Sequence, residues 1–293
     1  MKVFIYVQKL KHEDKGIFRG FLTELKNNNI DIHVKIDEVE NDTAFNFEEI
    51  KVVEWRGYED IKEKRPNFII TLGGDGTMLH AVTLIRDSRI PVLGINLGRL
   101  GFLASVEKKF ITNAVYQLMN GMYRIEERTL LHLDCNKPIF GNTPIALNDF
   151  TILKRDNSSM ITIHTYVNGD FLNSYWADGI IIATPTGSTG YSLSCGGPIL
   201  FPQAKNFIIT PVAAHNLNVR PVVLPDEVVL SFKVEGRTDT FLCTMDSRYE
   251  IIDSSFQLAI RKAEYSIKLV QLQPVTFLKT LHDKMNWGLD QRN

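Results

Sequence analysis

Cysteine is scarce. Cys135, Cys195 and Cys243 are the only three in 293 residues. None belongs to a CxxC pair and the count is odd, which argues against a disulfide framework and for reduced thiols in a cytosolic protein. Long apolar runs are missing as well: no segment approaches ~18 consecutive apolar residues, so no membrane-crossing helix is encoded. An excess of one charge is absent. The formal net charge is −1, which gives no bulk case for a nucleic acid or an acidic membrane surface as partner. The opening stretch "MKVFIYVQKLKHEDKG" lacks the long apolar region and small-residue cleavage site of an export signal and reads as a first strand, so a cytoplasmic protein is expected. No internal repeat or low-complexity tract is visible. Three nucleotide signatures are missing too. Without GK[ST] there is no Walker loop, and without GxGxxG no oxidoreductase dinucleotide fingerprint. VAIK and HRD, which mark protein kinases, do not occur.

What is present is an ordinary globular composition, 44% hydrophobic and 23% charged, in a length that suits one large or two modest domains. The first part alternates strand and helix. Residues 3–7, 30–36, 68–72 and 90–95 read as strands, and 16–28, ~77–87 and ~111–120 as helices. The strands are continuous apolar runs, as expected of a parallel sheet covered on both faces. Residues 40–66 are polar and acidic, with only a weak helix or loop pattern. From about 125 the chain turns into short β-rich runs, "YSIKLVQL" (265–272) the last of them, separated by turn residues. This predicts a mostly antiparallel β domain. The tail "VTFLKTLHDKMNWGL" reads as helical again. The expected organisation is an α/β N-terminal nucleotide-binding domain, 1–124, and a β-rich C-terminal domain, 125–275. The C-terminal helix of 276–293 would return to the first domain.

Two glycine clusters carry the chemistry. "FIITLGGDGTMLHAV" (68–82) runs a buried strand through Gly73, Gly74 and Gly76 into a helix. Glycines at a strand end let backbone N–H groups approach phosphates, and the helix N-terminus adds partial positive charge. Asp75 stands among them. A carboxylate beside phosphates is unfavourable unless it takes a proton from an attacking hydroxyl or helps to position a metal; the structural alternative is a helix cap. The second cluster, "ADGIIIATPTGSTGYSLSCGGPIL" (177–200), runs a strand into alternating hydroxyls and glycines. Tyr191 there could stack on a base or donate to a ribose; the alternative is a surface turn. Asn148 and Asp149 begin a strand in "ALNDF".

Taken together, "GGDGT" (73–77), "NLGRLGFL" (96–103), "LNDF" (147–150), "DGIIIATPTGSTGYSLSCGGPI" (178–199), "HNLNVRPVVLP" (215–225) and "MDS" (245–247) resemble the NAD kinases, in order and over nearly the whole chain. GGDGT alone also occurs in lipid kinases and phosphofructokinases; the long second block is far more specific. The resemblance implies an active site between the two domains and a transfer of phosphate to NAD. It implies that Asp75 is the base for the 2′-hydroxyl of the adenosine ribose, with Gly74 and Gly76 against the substrates. It implies that Asn148 and Asp149 hold NAD, that Asp178 contacts the nicotinamide end, and that Thr189, Gly190, Tyr191, Ser192, Leu193 and Ser194 surround the adenine and its ribose. Asp246 matches a position near the substrate. Arg248 replaces a common Gln, where its charge would either favour the product's 2′-phosphate or form an exposed salt bridge. ATP as donor, a divalent cation (Mg2+) and a homo-oligomer, tetramer or dimer, are also implied. The competing readings are a lipid kinase, which needs an apolar groove, and a non-catalytic NAD(P) sensor, which does not need Asp75.

Overall fold

The structure is a computed structural model and describes residues 1–39, 52–155, 159–274 and 276–286. It divides into two compact units, residues 1–127 with 267–293 and residues 128–266. In chain order the first unit contributes β1 (Lys2–Leu10), α1 (Lys15–Asn27), β2 (Asp31–Val39), β3 (Val53–Glu54), α2 (Tyr58–Lys64), β4 (Phe68–Leu72) and α3 (Asp75–Ile85). It continues with β5 (Val92–Asn96), β6 (Val106–Glu107), α4 (Ile111–Met119) and β7 (Tyr123–Arg128). The second unit contributes β8 (Leu131–Cys135), β9 (Ile145–Ala146), β10 (Asp149–Lys154), β11 (Ile161–Val167), β12 (Asp170–Ala177) and β13 (Gly179–Ala183). There follow α5 (Tyr191–Ser194), β14 (Asn206–Val212), β15 (Val222–Pro225), β16 (Leu230–Glu235), β17 (Phe241–Met245), β18 (Arg248–Ile252) and β19 (Leu258–Lys262). The chain then returns to the first unit with β20 (Ile267–Leu272) and α6 (Phe277–Met285).

The first unit is built on one sheet in the order β3-β2-β1-β4-β5-β20-β7, with β6 beside β5. β1 pairs in parallel with both β2 and β4, and β4 with β5. All five residues of β4 are buried, which is why its sequence is uniformly apolar rather than alternating. Val3, Ile5 and Val7 of β1 pack with Phe18, Phe21 and Leu22 of α1 and with Val115 and Leu118 of α4. Phe4 and Tyr6, pointing the other way, meet Trp55, whose indole donates to Ile5 O. The run 265–272 has the same strand pattern as its predecessors, but it forms β20, parallel to β5 and between β5 and β7 in this sheet. The expected loop or weak helix of 40–66 resolves, over its described part, into β3 and α2; residues 40–51 lie outside the described residues. Among the described residues no helix is long and apolar enough to cross a membrane.

The second unit holds two six-stranded sheets, β15-β14-β13-β10-β17-β18 and β12-β11-β16-β19-β8-β9. Their pairings are antiparallel throughout. Alternate residues face inward: Phe150, Ile152, Ile180, Ile182 and Met245 from one sheet share a core with Leu131, Leu133, Ile161, Ile163 and Phe232 from the other. That is the side-chain period of a two-sheet sandwich.

Candidate functional site

The sheet order of the first unit fixes one place for a ligand. β1 runs to β2 on one side and β4 lies on the other, so the connections leave in opposite directions and open a crevice beyond the strand ends. A cavity of about 290 Å³ lies there. Lys9 and Lys11 line it at the end of β1 and just past it, Gly73, Gly74 and Thr77 after β4, and Asn96, Gly98 and Arg99 at the end of β5 and past it, with Glu13 and Asp14 just before α1. Burial pushes the Asp14 carboxyl up, and Lys108, 4.0 Å away, pulls it back.

Asp75 stands between the lining residues Gly74 and Thr77 as the first residue of α3. The cap position belongs to Gly74, and no side chain caps the helix, so the helix-cap alternative does not apply. Its carboxylate instead takes backbone hydrogen bonds from the "GRLGFLA" loop. Phe102 N donates to Oδ2 at 2.8 Å, and Leu103 N and Ala104 N donate to Oδ1 at 3.1 and 2.9 Å. A carboxylate offers about four lone-pair sites. Three are filled, and the remaining one is on Oδ2. Gly101 is forced by this contact: a Cβ there would overlap Asp75 Oδ1. The motif was legible in the sequence, but the bond from its backbone to Asp75 was not.

In the second unit, topology gathers the other motifs. β10 is antiparallel to both β13 and β17, so its first residues adjoin the ends of those two strands. Asn148 and Asp149 therefore meet the loop after β13 and the turn after β17. Thr184 N donates to Asn148 O at 2.9 Å, and Thr184 Oγ1 to Leu147 O at 2.5 Å. Gly187 packs directly on Asn148 O, where a Cβ would overlap. Gly190 faces the Asn148 amide and the Asp149 carboxylate. Asp149 is buried; burial, with the Asp246 carboxylate adding, pushes its carboxyl up to about 7.

Asp246 has the same bonding as Asp75. Its Oδ2 accepts from Leu147 N at 2.8 Å, and its Oδ1 from Asn148 N and Asp149 N at 2.8 and 3.2 Å. Burial raises its carboxyl and the three N–H bonds oppose the rise. Among the described residues Arg248 makes no exposed salt bridge. Its Nη1 donates to Thr143 O and Thr143 Oγ1 at 2.6 and 2.9 Å and its Nη2 to Ile145 O at 2.5 Å, with the guanidinium over the Phe140 ring.

The rest of the second cluster divides by exposure. Ser192 is buried and bonded to Thr210 Oγ1 at 2.8 Å. Thr189 Oγ1 donates to Thr186 O. Tyr191, at 41% exposure, and Ser194 face outward, and Leu193 is half-buried. Asp178 pairs with Lys154 at 2.7 Å, a partner the sequence did not suggest. Among the described residues no group of three or more His, Cys, Asp or Glu side chains could hold a metal ion.

Comparison with known proteins identifies both halves. Residues 22–123 match the model of the ATP-NAD kinase N-terminal domain and residues 147–272 that of the ATP-NAD kinase C-terminal domain. The NAD kinase of Flavobacterium johnsoniae is 43% identical over 298 residues, covering 100% of each chain. That of Cytophaga hutchinsonii is 52% identical over 229 residues, 78% of each. Among solved structures, yeast NADH kinase complexed with NADH has the same fold, with a TM-score of 0.84 at 23% identity over 97% of this chain and 88% of that one.

Proposed function

The chain belongs to the NAD kinase family, and from that premise we propose that it transfers the γ-phosphoryl group of ATP to the 2′-hydroxyl of the adenosine ribose of NAD. ATP and NAD become ADP, NADP and a proton. The observation that carries the reading is the spare lone pair on Asp75 Oδ2, at a glycine-lined strand-to-helix turn beside a cavity with Lys11 and Arg99 on its wall.

Phosphoryl transfer of this kind needs alignment and charge neutralisation more than covalent help. Gly73 N and Thr77 N are bonded to Ile95 O and Gly74 O, so it is the N–H groups at the start of α3, with the two cations, that suit the donor's phosphates. Asp75 Oδ2 accepts the hydroxyl hydrogen, which both orients the attacking oxygen and receives the proton as the new P–O bond forms. A carboxylate is a weak base toward a sugar hydroxyl, so its help comes late in the transfer. Phe102, Leu103 and Ala104 hold it still while it acts. The proposed substrate residues are Gly74 and Gly76 on the donor side, and Asn148, Asp149, Asp178, Thr189, Gly190, Tyr191, Leu193 and Ser194 for NAD, with Ser192 supporting their loop from beneath. A Mg2+ ion bound mainly through donor phosphates asks for few protein ligands, and Asp14 and Glu13 are the carboxylates at hand; the ion would neutralise phosphate charge.

Polyphosphate as an alternative donor, NADH as an alternative acceptor, a homo-oligomeric assembly and a cytoplasmic location belong to the same proposal. The test is conversion of NAD to NADP by purified protein with ATP and Mg2+, read by an NADP-specific dehydrogenase. NADP formation is the expected result. No NADP with either ATP or polyphosphate would sink the reading and favour a nucleotide-sensing module.

A further inference from the structure

We infer that the turn 246–248 is a positioning element for the reaction: Asp246 and Arg248 grip the backbone of residues 143–149 and so set Asn148 and Asp149, and neither side chain reads NAD or its new phosphate. The inference rests on the proposed kinase reading for what Asn148 and Asp149 hold.

The chemistry of the grip is complementary. An ionised carboxylate only accepts hydrogen bonds, and Asp246 meets a row of donors, the N–H groups of Leu147, Asn148 and Asp149. A guanidinium only donates, and Arg248 meets acceptors, Thr143 O, Thr143 Oγ1 and Ile145 O. The two side chains thus fasten opposite polarities of one segment. A further bond, from Asp246 N to Asp149 O at 3.0 Å, ties the turn to the first residue of β10. Asp246 takes a left-handed conformation, φ +53°, which an aspartate tolerates better than most residues. The two opposite charges also lie two residues apart, so each offsets the other's burial.

Arg248 has five N–H donors; three are committed to protein oxygens, with at least one from each Nη atom, and its flat face lies 5.5 Å from the Phe140 ring centre. Turning to a ligand would take a charged donor from Ile145 O and from Thr143 O, the latter keeping its bond from Ile145 N at 2.8 Å. Asp246 would likewise have to release one or more of the loop N–H groups of Leu147, Asn148 and Asp149 to swing toward a ligand. The loop is the better reader, because Asn148 and Asp149 point their side chains at Gly190 of the second cluster while their N–H groups are held from the other side.

The test compares wild type, Asp246→Asn, Arg248→Gln, Asn148→Ala and the double variant Asp246→Asn/Asn148→Ala in NAD phosphorylation, with product inhibition by NADP. If the turn acts through the loop, Arg248→Gln and Asp246→Asn raise KM for NAD about tenfold and leave kcat within about threefold. The NADP inhibition constant then rises by the same factor as KM, and the double variant is within about twofold of Asn148→Ala alone. A rise in the NADP constant with KM for NAD unchanged would mean that Arg248 reads the 2′-phosphate, and multiplicative effects in the double variant would mean that Asp246 touches substrate. Either result overturns the inference. Wild type that makes no NADP would defeat the kinase reading alone. The grip is then judged by amide hydrogen exchange, where Asp246→Asn should speed exchange at Leu147, Asn148 and Asp149; unchanged exchange there refutes it. Should Asp246→Asn fail to fold, Arg248→Gln decides by kinetics.

Discussion

In the α/β unit the Asp75 carboxylate takes three consecutive backbone N–H groups, Phe102 to Ala104; in the β-rich unit the Asp246 carboxylate takes three, Leu147 to Asp149. In each, one oxygen accepts one bond and the other accepts two. The surroundings differ. Both residues are half-buried, but Asp75 opens a helix beside a cavity. Asp246 sits in a β-turn where burial raises its carboxyl, with Arg248 close by. An identical set of bonds therefore serves two ends. The same lone pair is left on Oδ2 in both, so it is the setting, beside a cavity or within a β-turn, that separates the carboxylate proposed to react from the one proposed to hold a loop.

The sharpest way to break this contrast is Asp75→Asn. We expect kcat to fall about 10²–10⁴-fold with KM for NAD little changed. Turnover within about threefold of wild type would put Asp75 in the same structural class as Asp246. Next come the two glycines packed on these loops. Gly101→Ala would press on Asp75 Oδ1 and Gly187→Ala on Asn148 O, and each should lower unfolding stability by about 1–3 kcal/mol. Their kinetic signatures should divide, kcat for Gly101→Ala and KM for NAD for Gly187→Ala; interchangeable signatures would erase the distinction between the units.

A smaller effect is pH-dependent. In the unfolded chain Asp149 loses its proton near 3.8, but folded it keeps it until about 7. Between those values the folded state holds the extra proton, so the group's contribution to stability falls as pH rises and is level above about 7. Asp149→Asn removes this dependence. Its melting temperature relative to wild type should climb from pH 5 to pH 8, and a constant difference would show that Asp149 is not held protonated. The smallest effect is at the pair Lys154–Asp178, whose side chains are 26% and 35% exposed. Lys154→Met should cost no more than about 1 kcal/mol in thermal unfolding, and less in high salt; a larger loss would make this pair part of the loop's scaffold.

The legible part of the molecule is what local patterns encode. A continuous apolar run gives β4, helical spacing gives α1 and α4, and the glycines of 73–76 mark the turn between β4 and α3. Partnership over long distances is not encoded locally. "YSIKLVQL" has the alternation and branching of any strand, and nothing in it says that it joins β5 rather than β19. Asp75 among glycines advertises a role without revealing that Phe102 to Ala104 share its oxygens. Arg248 reads as a cation for the product's 2′-phosphate or for an exposed salt bridge because Thr143 and Ile145, its acceptors, are about a hundred residues earlier in the chain. The hydroxyl of Ser192 looks like its neighbours in the motif until Thr210 is found against it.

The placement of β20 has a consequence for biosynthesis. Among the described residues β7 neighbours only β20, yet the whole β-rich unit is translated between them. On the ribosome the β-rich unit has all its strands before the α/β sheet does. β5 and β7 wait with open edges, the kind of surface that invites wrong pairing. The sheet that begins the chain is thus the last to close, and the nascent protein is most vulnerable while its second unit is being made.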